Sequence, residues 1–162
     1  MKKSLQIDEN KAFDLYQTAT PEFKQMLEDS FGKEFFKRKI TDRVKSYEDA
    51  CAILGIDPHT SMPDTSDCPK EDRKAYVAFH KLVVITRALN EGWRPDWSNT
   101  NQPKWFNWWW TKVMRASPVR SYFAPSSSDA HFGSRLCFKS EALADYAAET
   151  FKELYEDYLM FK

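Results

Sequence analysis

At 162 residues, the chain is long enough for one domain whose core would bury about 70% of its unfolded surface. Hydrophobic residues make up 42% and charged residues 30%, a composition typical of globular proteins and not of disordered ones. The 24 basic and 24 acidic side chains give a formal net charge of zero. That balance argues against non-specific coating of nucleic acid, although it leaves room for a local basic patch.

The cysteines and the N-terminal residues indicate the cellular compartment in which the protein is expected. Cys51, Cys68 and Cys137 are odd in number and form no CxxC pair, which is typical of free thiols in a reducing compartment. The first residues, MKKSLQIDENK, lack the apolar run of a secretory signal, and no stretch approaches the ~20 apolar residues that span a bilayer. We expect a cytoplasmic protein with no membrane partner.

The N-terminal part predicts two helices in succession. Asp8 is placed to cap a helix that runs to about Ala19. Thr20 followed by Pro21 predicts a new helix, because a capping hydroxyl precedes a proline at the first helical position. Gly32 is placed to end that second helix in a left-handed conformation.

Two further helices are predicted before residue 92. Ser46 starts a short helix that ends at Gly55, and residues 57–69 form a proline- and serine-rich loop. Pro69 opens the longest helix, which runs to about Glu91. Its apolar residues occupy two sides, with Ala75, Phe79, Leu82, Ile85, Thr86 and Leu89 on one and Val77 and Val84 nearly opposite. We therefore expect this helix to be covered on both sides and central.

The composition changes after residue 92 and again near residue 139. Residues 93–139 are rich in tryptophan, serine, asparagine and proline and predict strands and loops, and residues 140–162 predict one long helix. Its buried stripe is Leu143, Ala147, Phe151, Leu154, Tyr158 and Phe161, and its acidic stripe, which we interpret as a solvated face, is Glu141, Asp145, Glu149, Glu153 and Glu156. The expected fold is α+β in one domain, 1–162. It comprises a helical part (1–92), an antiparallel sheet of about three strands (104–138) and a C-terminal helix packed on the sheet.

The stretch KWFNWWWTK, residues 104–112, holds four of the six tryptophans, all of which lie between positions 93 and 110. As a strand it would be apolar on both faces, whereas an antiparallel strand in a small domain normally has one wet face. Either helices cover both faces, or one aromatic face is exposed for a partner. A helix starting at Pro103 is the third interpretation, and we favour the strand because aromatic runs suit pleated geometry.

The tryptophans are interpreted first as core residues, because burying indole is a large source of stability. Six exceed what one small core usually holds, and basic residues are interleaved with them, which suits single-stranded nucleic acid, sugar rings or a protein hot spot. The partner-binding candidates are Trp93, Trp97, Trp105, Trp108, Trp110, Arg94, Lys104, Lys112, Arg115 and Arg120.

A second basic segment is GKEFFKRKITDRVK, residues 32–45, with six basic and two acidic side chains. Such a run is most often a solvated helix end or loop. If the chain contacts nucleic acid, the expected phosphate contacts are Lys37, Arg38, Lys39, Arg43 and Lys45.

Catalytic and metal motifs are missing from the sequence. His131 lies near Ser126, Ser127, Ser128 and Asp129, but there is no GxSxG elbow, and we discount a hydrolase triad. The cysteines and histidines lack zinc spacing, and the four glycines form no phosphate-binding loop. His80, at the margin of the apolar face of the longest helix, is interpreted as a satisfied structural histidine, and Cys137 as a small buried apolar residue. We expect no enzymatic activity, no cofactor and no metal.

Three segments carry a resemblance: ITDRVKSYEDACAILGI (40–56), ALNEGWRPDWSNTNQPKW (88–105) and GSRLCFKSEALADYAAETFKELY (133–155). Together with the lead-in TATPEFKQMLEDSFGKEFF, they resemble a family of small uncharacterised (hypothetical) proteins found in phages and mobile elements of gut anaerobic bacteria. Similar sequences often show a shorter KWxPWF where this chain has KWFNWWW. The resemblance implies a mobile-element context and attaches no activity to any residue.

These features favour a non-enzymatic accessory protein of a phage or mobile element. It would bind a macromolecule through its tryptophan-rich segment, and the favoured partner is another protein or further copies of the chain, as in a virion or assembly component. A single-stranded nucleic-acid-binding protein is the alternative, and a small hydrolase ranks last.

Overall fold

The computed structural model describes the backbone of residues 7–110, 117–123 and 134–160, and the side chains of residues 7–109 and 135–160. Its architecture is α+β, as the sequence predicts. The chain divides into two compact units, Met1–Arg43 and Val44–Lys162. The predicted segments follow composition changes near residues 92 and 139, whereas no change in composition marks the boundary after Arg43.

The first unit begins with two capped helices. Helix α1 spans Glu9–Thr18, and its N-cap Asp8 accepts a hydrogen bond from the backbone N of Lys11 at 2.9 Å. Helix α2 spans Pro21–Phe31, with the Thr20 hydroxyl accepting from the backbone N of Phe23. Its C-cap is Gly32, at a φ of 85° that favours glycine. The predicted starts and ends of both helices are confirmed to within one residue.

Aromatic side chains form the core of this unit. A 3-10 turn, Phe35–Lys37, turns two adjacent phenylalanines inward, and both rings are buried. The ring of Phe36 stacks on Tyr16, with centroids 4.1 Å apart, and packs beside Phe13. The short helix α3, Ile40–Arg43, completes the unit. Phe35 and Phe36 belong to the basic segment of the sequence, so that segment is held by its own hydrophobic residues.

The second unit begins with helix α4, Tyr47–Leu54. Ser46 and Asp49 form a reciprocal capping box, and Gly55 ends the helix in the left-handed region at φ 64°. Helix α5 spans Arg73–Leu89 and starts four residues later than predicted. Pro69 instead opens a turn, in which the backbone N of Asp72 donates to the carbonyl of Pro69 at 3.0 Å. The proline at position 69 therefore marks the turn that precedes α5 and not the first residue of the helix.

Helix α5 is central to this unit, as its two apolar sides predict. It packs against α4, against the C-terminal helix α7 (Lys152–Leu159) and against the 3-10 helix Ser134–Leu136. Val84 and Ile85, on different sides of the helix, are both buried. The helix is therefore covered on both sides, although Ala75, Val77 and Phe79 in its first half are only half-buried.

The end of α5 is joined to the strand region by Asn90. Its buried side-chain amide donates to the carbonyl of Cys137 at 2.7 Å and accepts from the backbone N of Lys139 at 3.0 Å. Beyond it, Glu91 and Gly92 both have positive φ, 48° and 82°, and turn the chain away from the helix axis. The predicted stop at residue 92 thus lies three residues after the last helical residue.

The sheet has two antiparallel strands among the described residues, β1 (Trp105–Trp110) and β2 (Ser117–Phe123). The sequence predicts about three. A single bridge takes the place of the third, in which Trp105 and Phe138 exchange backbone hydrogen bonds of 3.0 and 2.7 Å. On the opposite edge of this segment, the Cys137 carbonyl and the Lys139 N–H are bonded to the side chain of Asn90.

The C-terminal region is two helices, where the sequence predicts one. Helix α6 spans Glu141–Thr150, capped by Ser140, and α7 follows after a break at Phe151, which has φ −111° and ψ 26°. Helix α6 packs on both strands, whereas α7 packs on α5. The break changes which residues are buried in α7. Tyr155 is buried in place of the predicted Leu154 and Tyr158, which are half-buried, and the predicted Phe161 lies outside the described residues.

Within the described residues, no helix has both the length and the apolar content needed to cross a lipid bilayer.

Candidate functional site

The tryptophan-rich strand β1 has one face that is packed inside the protein. Asn107 and Trp109 are buried, and the Asn107 amide donates to the hydroxyl of Tyr155 at 3.0 Å. The ring of Trp109 lies against the same tyrosine, with centroids 4.7 Å apart. Burial raises the pKa of Tyr155, and the hydrogen bond from Asn107 opposes that shift. This face joins the strand to α7 and is not available to a partner.

The other face of β1 changes from buried to exposed along the strand. Phe106 is buried, whereas Trp108 keeps 47% of its surface exposed. Arg120 of β2 lies directly opposite Trp108 in the strand register. The register then shifts, so that Trp109 is opposite Pro118, because one extra residue of β2 forms a bulge beside the proline. The exposed indole is therefore held on a paired strand next to an arginine position.

The loop before β1 presents two more tryptophans. Trp93 and Trp97 are half-buried, and Arg94 between them is exposed. Gln102 spans the loop, because its side-chain oxygen accepts from the backbone N of Asp96 at 2.6 Å and its amide donates to the Arg94 carbonyl at 3.4 Å. The loop is thus held in one conformation by its own side chains.

Asp96 adds a local turn to this loop. Its carboxylate accepts from the hydroxyl and the backbone N of Ser98, at 2.6 and 2.9 Å. These hydrogen bonds lower the pKa of Asp96, and the nearby positive charge of Lys104 lowers it further. The carboxylate is therefore ionised near neutral pH, and it accepts the hydrogen bonds that form this turn.

Lys104 differs from its predicted role. It was expected to contact a partner, but its side chain is only 1% exposed. Its ammonium donates to the carbonyls of Asn99 and Gln102, at 2.8 and 2.9 Å, and lies 5.6 Å from the centroid of the Trp97 ring. This cation cross-links the loop from inside, and we leave it out of any partner surface.

The remaining partner-binding candidates of the tryptophan-rich segment differ in how far the structure describes them. Trp105 is half-buried and, by alternation, shares the packed face of β1. Lys112 and Arg115 lie outside the described residues, and Trp110 and Arg120 are described in the backbone alone. We use the name tryptophan surface for the exposed parts of Trp93, Arg94, Trp97 and Trp108.

In the basic segment 32–45, three cations are engaged inside the first unit. The Lys37 ammonium lies 2.6 Å from the Glu34 carboxylate, which raises the pKa of Lys37. The guanidinium of Arg38 lies over the ring of Phe35, 4.8 Å from its centroid. Arg43 lies 3.9 Å from the centroid of the Phe13 ring. Each of these cations therefore contacts a side chain of its own unit, while Lys37 and Arg38 remain exposed.

The other two cations of that segment belong to different units. Lys39 is exposed in the first unit. Lys45 is in the second, where its ammonium lies 5.2 Å from the centroid of the Tyr146 ring. The five predicted phosphate contacts therefore do not form one described site.

One polar cluster was not foreseen as a group. The Tyr47 hydroxyl lies 2.8 Å from the Ser61 hydroxyl and 3.5 Å from Nε2 of His80. Burial, followed by the charge of Arg87, lowers the pKa of His80. The cluster ties the loop after α4 to α4 and α5, as expected of a structural histidine. No sequence signal links these residues, because they come from three separate segments.

The nucleophilic and metal-ligating residues form no recognisable reaction centre in the described part of the chain. Burial raises the pKa of the Cys137 thiol to about 11, so it is protonated and unreactive at neutral pH. Across residues 7–109 and 135–160, no group of three or more histidine, cysteine or acidic side chains is placed to hold a metal ion. His131 and the nearby serines lie outside the described residues.

The acidic stripe of the C-terminal helices lies at the surface. Glu141, Asp145, Glu149 and Glu153 are exposed, and Glu156 is half-buried with Lys152 3.9 Å away. This arrangement agrees with a solvated helix face.

Comparisons of the chain with protein families, with curated proteins and with solved structures gave no match. Function is therefore inferred from the side chains themselves.

Proposed function

We propose that this protein is a non-enzymatic accessory protein that binds another protein through the tryptophan surface, in which Trp108 is the most exposed of the described indoles. The supporting observation is the 47% exposure of Trp108, on a strand whose neighbouring aromatic side chains, Phe106 and Trp109, are buried. A strand with one such exposed ring is costly to leave in water, and a partner that covered it would gain on the order of 2 kcal/mol. Tryptophan and arginine are the side chains most enriched at protein hot spots.

The loop that carries Trp93 and Trp97 supports the same proposal. Its conformation is fixed by the bonds of Gln102 and by the buried ammonium of Lys104. A surface that is already ordered loses less conformational entropy when a partner binds. Rigid aromatic side chains on such a loop are therefore suited to a binding surface.

A protein partner is favoured over nucleic acid because the tryptophan surface, as its described residues define it, has few accessible cations. Lys104 is buried, Lys37 is paired with Glu34, and Arg43 lies on an aromatic ring. Phosphate backbones are bound through several accessible cations. Arg94 is the one exposed cation of the tryptophan surface as defined above.

The biological setting in this proposal is a phage or mobile element, as the family resemblance implies. The partner is another assembly protein or a second copy of the chain, acting in the host cytoplasm or in the virion. Either partner would bury the same tryptophan surface.

Site-specific photo-crosslinking in the cells that naturally carry the protein tests this proposal. A photoreactive residue replaces Trp108 in one variant and Tyr76 in another. Tyr76, on α5, is a matched control because it is an aromatic residue with a similar exposure of 54%. We expect one discrete protein adduct from position 108 and none from position 76, with mass spectrometry distinguishing a foreign protein from a second copy. Equal adducts at both positions, or none at position 108, would contradict the proposal.

Stability measurements on two alanine variants give the necessary control. Trp108→Ala should change the free energy of unfolding by less than about 1 kcal/mol, because half of that ring is already in water. Trp109→Ala should cost about 3–5 kcal/mol, because its ring is buried against Tyr155. Urea unfolding followed by circular dichroism measures both. Equal losses would mean that Trp108 is a core residue and would remove its most exposed indole from the proposed surface.

Single-stranded nucleic acid is the second candidate partner, favoured by the register position of Arg120 opposite Trp108. An exposed aromatic ring suits a stacked base, and arginine at the facing register position is a residue type that binds phosphate. Binding of a fluorescent oligothymidine should then weaken steeply as salt rises, whereas a protein interface of mainly apolar contacts would change little. Binding that is absent at low salt would exclude this alternative.

A further inference from the structure

The buried side of β1 contains a hydrogen-bond donor with no acceptor among the described residues. The indole Nε1 of Trp109 is shielded from solvent, and the residue as a whole is 9% exposed. A buried donor without a partner costs about 1–3 kcal/mol, and native structures tolerate few of them. We therefore expect a hydrogen-bond acceptor beside Nε1 of Trp109, and the described side chains do not supply one.

A small cavity adjoins this ring. Its lining includes Asn107, Trp109 and Tyr155, together with Leu136, Tyr158 and Leu159. Its volume is about 10 Å³, and a single water needs about 10–15 Å³ by the same measure. There is thus room for one water and not for a larger ligand.

The polar groups of the lining are suited to a water. Tyr155 accepts a hydrogen bond from the Asn107 amide, which leaves the proton of the tyrosine hydroxyl to be donated elsewhere. The Trp109 indole contributes a second N–H donor. Truly empty cavities in proteins are lined by apolar atoms, whereas the lining of this cavity includes the two residues that carry these donors.

We propose that this cavity holds one ordered water molecule, which accepts hydrogen bonds from the Trp109 indole and the Tyr155 hydroxyl and so links β1 to α7. The water is part of the folded structure, and it satisfies the donor that the packing of Trp109 would otherwise leave unpaired. This site is independent of the proposed partner surface, because it lies on the opposite face of the strand.

A crystal structure of the full-length protein, at a resolution that shows ordered water, provides the first test. The expected result is an electron-density peak about 2.9 Å from Trp109 Nε1. An empty cavity, or a protein atom in contact with Nε1, would overturn the proposal. This measurement uses the wild-type chain and does not depend on any variant folding.

Nuclear magnetic resonance in solution provides the second test. The indole proton of Trp109, assigned by its loss in Trp109→Phe, should show a direct cross-peak to a long-lived water and slow exchange with solvent. The indole proton of Trp108 is the control, because an exposed ring meets only short-lived water. A protected Trp109 proton without a water cross-peak would show that the cavity is dry.

Discussion

Lys104 shows how a charged residue can be mistaken for a surface residue. In the sequence it stands beside tryptophan, as the cations of binding surfaces do, yet its ammonium is bonded to two backbone carbonyls inside the loop. Lysines are seldom fully buried unless their donors are satisfied. The residue therefore acts as the organising donor of the loop that holds Trp97.

Replacing Lys104 with methionine tests this role. The substitution keeps the length of the side chain and removes the ammonium, so the carbonyls of Asn99 and Gln102 lose their donor. We expect the free energy of unfolding to fall by about 1–3 kcal/mol. Urea unfolding measures it, with Lys70→Met as the control, because Lys70 is exposed and should change stability little. If both variants are equally stable, Lys104 does not hold the loop.

At the scale of the elements, α4, α5 and the loop between them meet at Tyr47 and His80. The His80 ring lies 3.5 Å from the Tyr47 hydroxyl, which also meets Ser61. The charge that acts on this histidine is that of Arg87 on α5, and the ammonium of Lys81 lies 5.3 Å from the centroid of the neighbouring Tyr47 ring. Protonating the imidazole here would place a further positive charge in a partly buried position.

The pH dependence of stability tests this contact. Burial lowers the pKa of His80 in the folded state below its usual 6.5, so the unfolded chain binds the proton first. The stability that the neutral imidazole of His80 contributes is therefore fully present above pH 6.5. It is lost as the pH falls through the folded pKa, and the free energy of unfolding then decreases by at most about 1.4 kcal/mol per pH unit. Urea unfolding of wild type and His80→Gln should show this loss between about pH 7 and pH 5 in the wild type alone. Parallel curves for the two proteins would contradict the assignment.

The strand β1 shows what periodicity can predict about an element. Alternation correctly predicted a strand and its two sets of side chains, but both sets are aromatic, so the pattern could not say which one is covered. The structure covers one set with Tyr155 of α7 and leaves Trp108 of the other exposed. Which set is covered depends on helix α7, whose Tyr155 is 48 residues away from Asn107 in the sequence.

At the scale of the whole molecule, the chain contains two compact units with a boundary after Arg43. The first has its own aromatic core, in which Phe36 contacts Phe13, Tyr16, Phe31 and Phe35. The second is built around α5. Because each unit has its own core, a substitution in one unit can lower its free energy of unfolding while the other unit keeps its own.

Substitution of Phe36 tests this independence. Phe36→Ala removes a buried ring and should destabilise the first unit by about 3–5 kcal/mol. Hydrogen exchange should then show lost protection in α1 and α2, with protection in α5 and α6 retained. Leu82→Ala, in the buried part of α5, is the reciprocal variant and should affect the second unit. Equal loss across both units in either variant would mean that the chain unfolds as one cooperative body.

The sequence by itself determined the local structure: where α1, α2, α4 and α6 begin, the strand at KWFNWWW and the α+β class. Those features depend on caps, prolines and hydrophobic period, which act over a few residues. Only the tertiary structure decided that Lys104 is buried, that the C-terminal helix breaks at Phe151, and that Trp109 is covered while Trp108 is exposed. Each of these outcomes depends on groups distant in the chain, because burial is set by the surfaces that meet in the folded protein and not by neighbours in sequence.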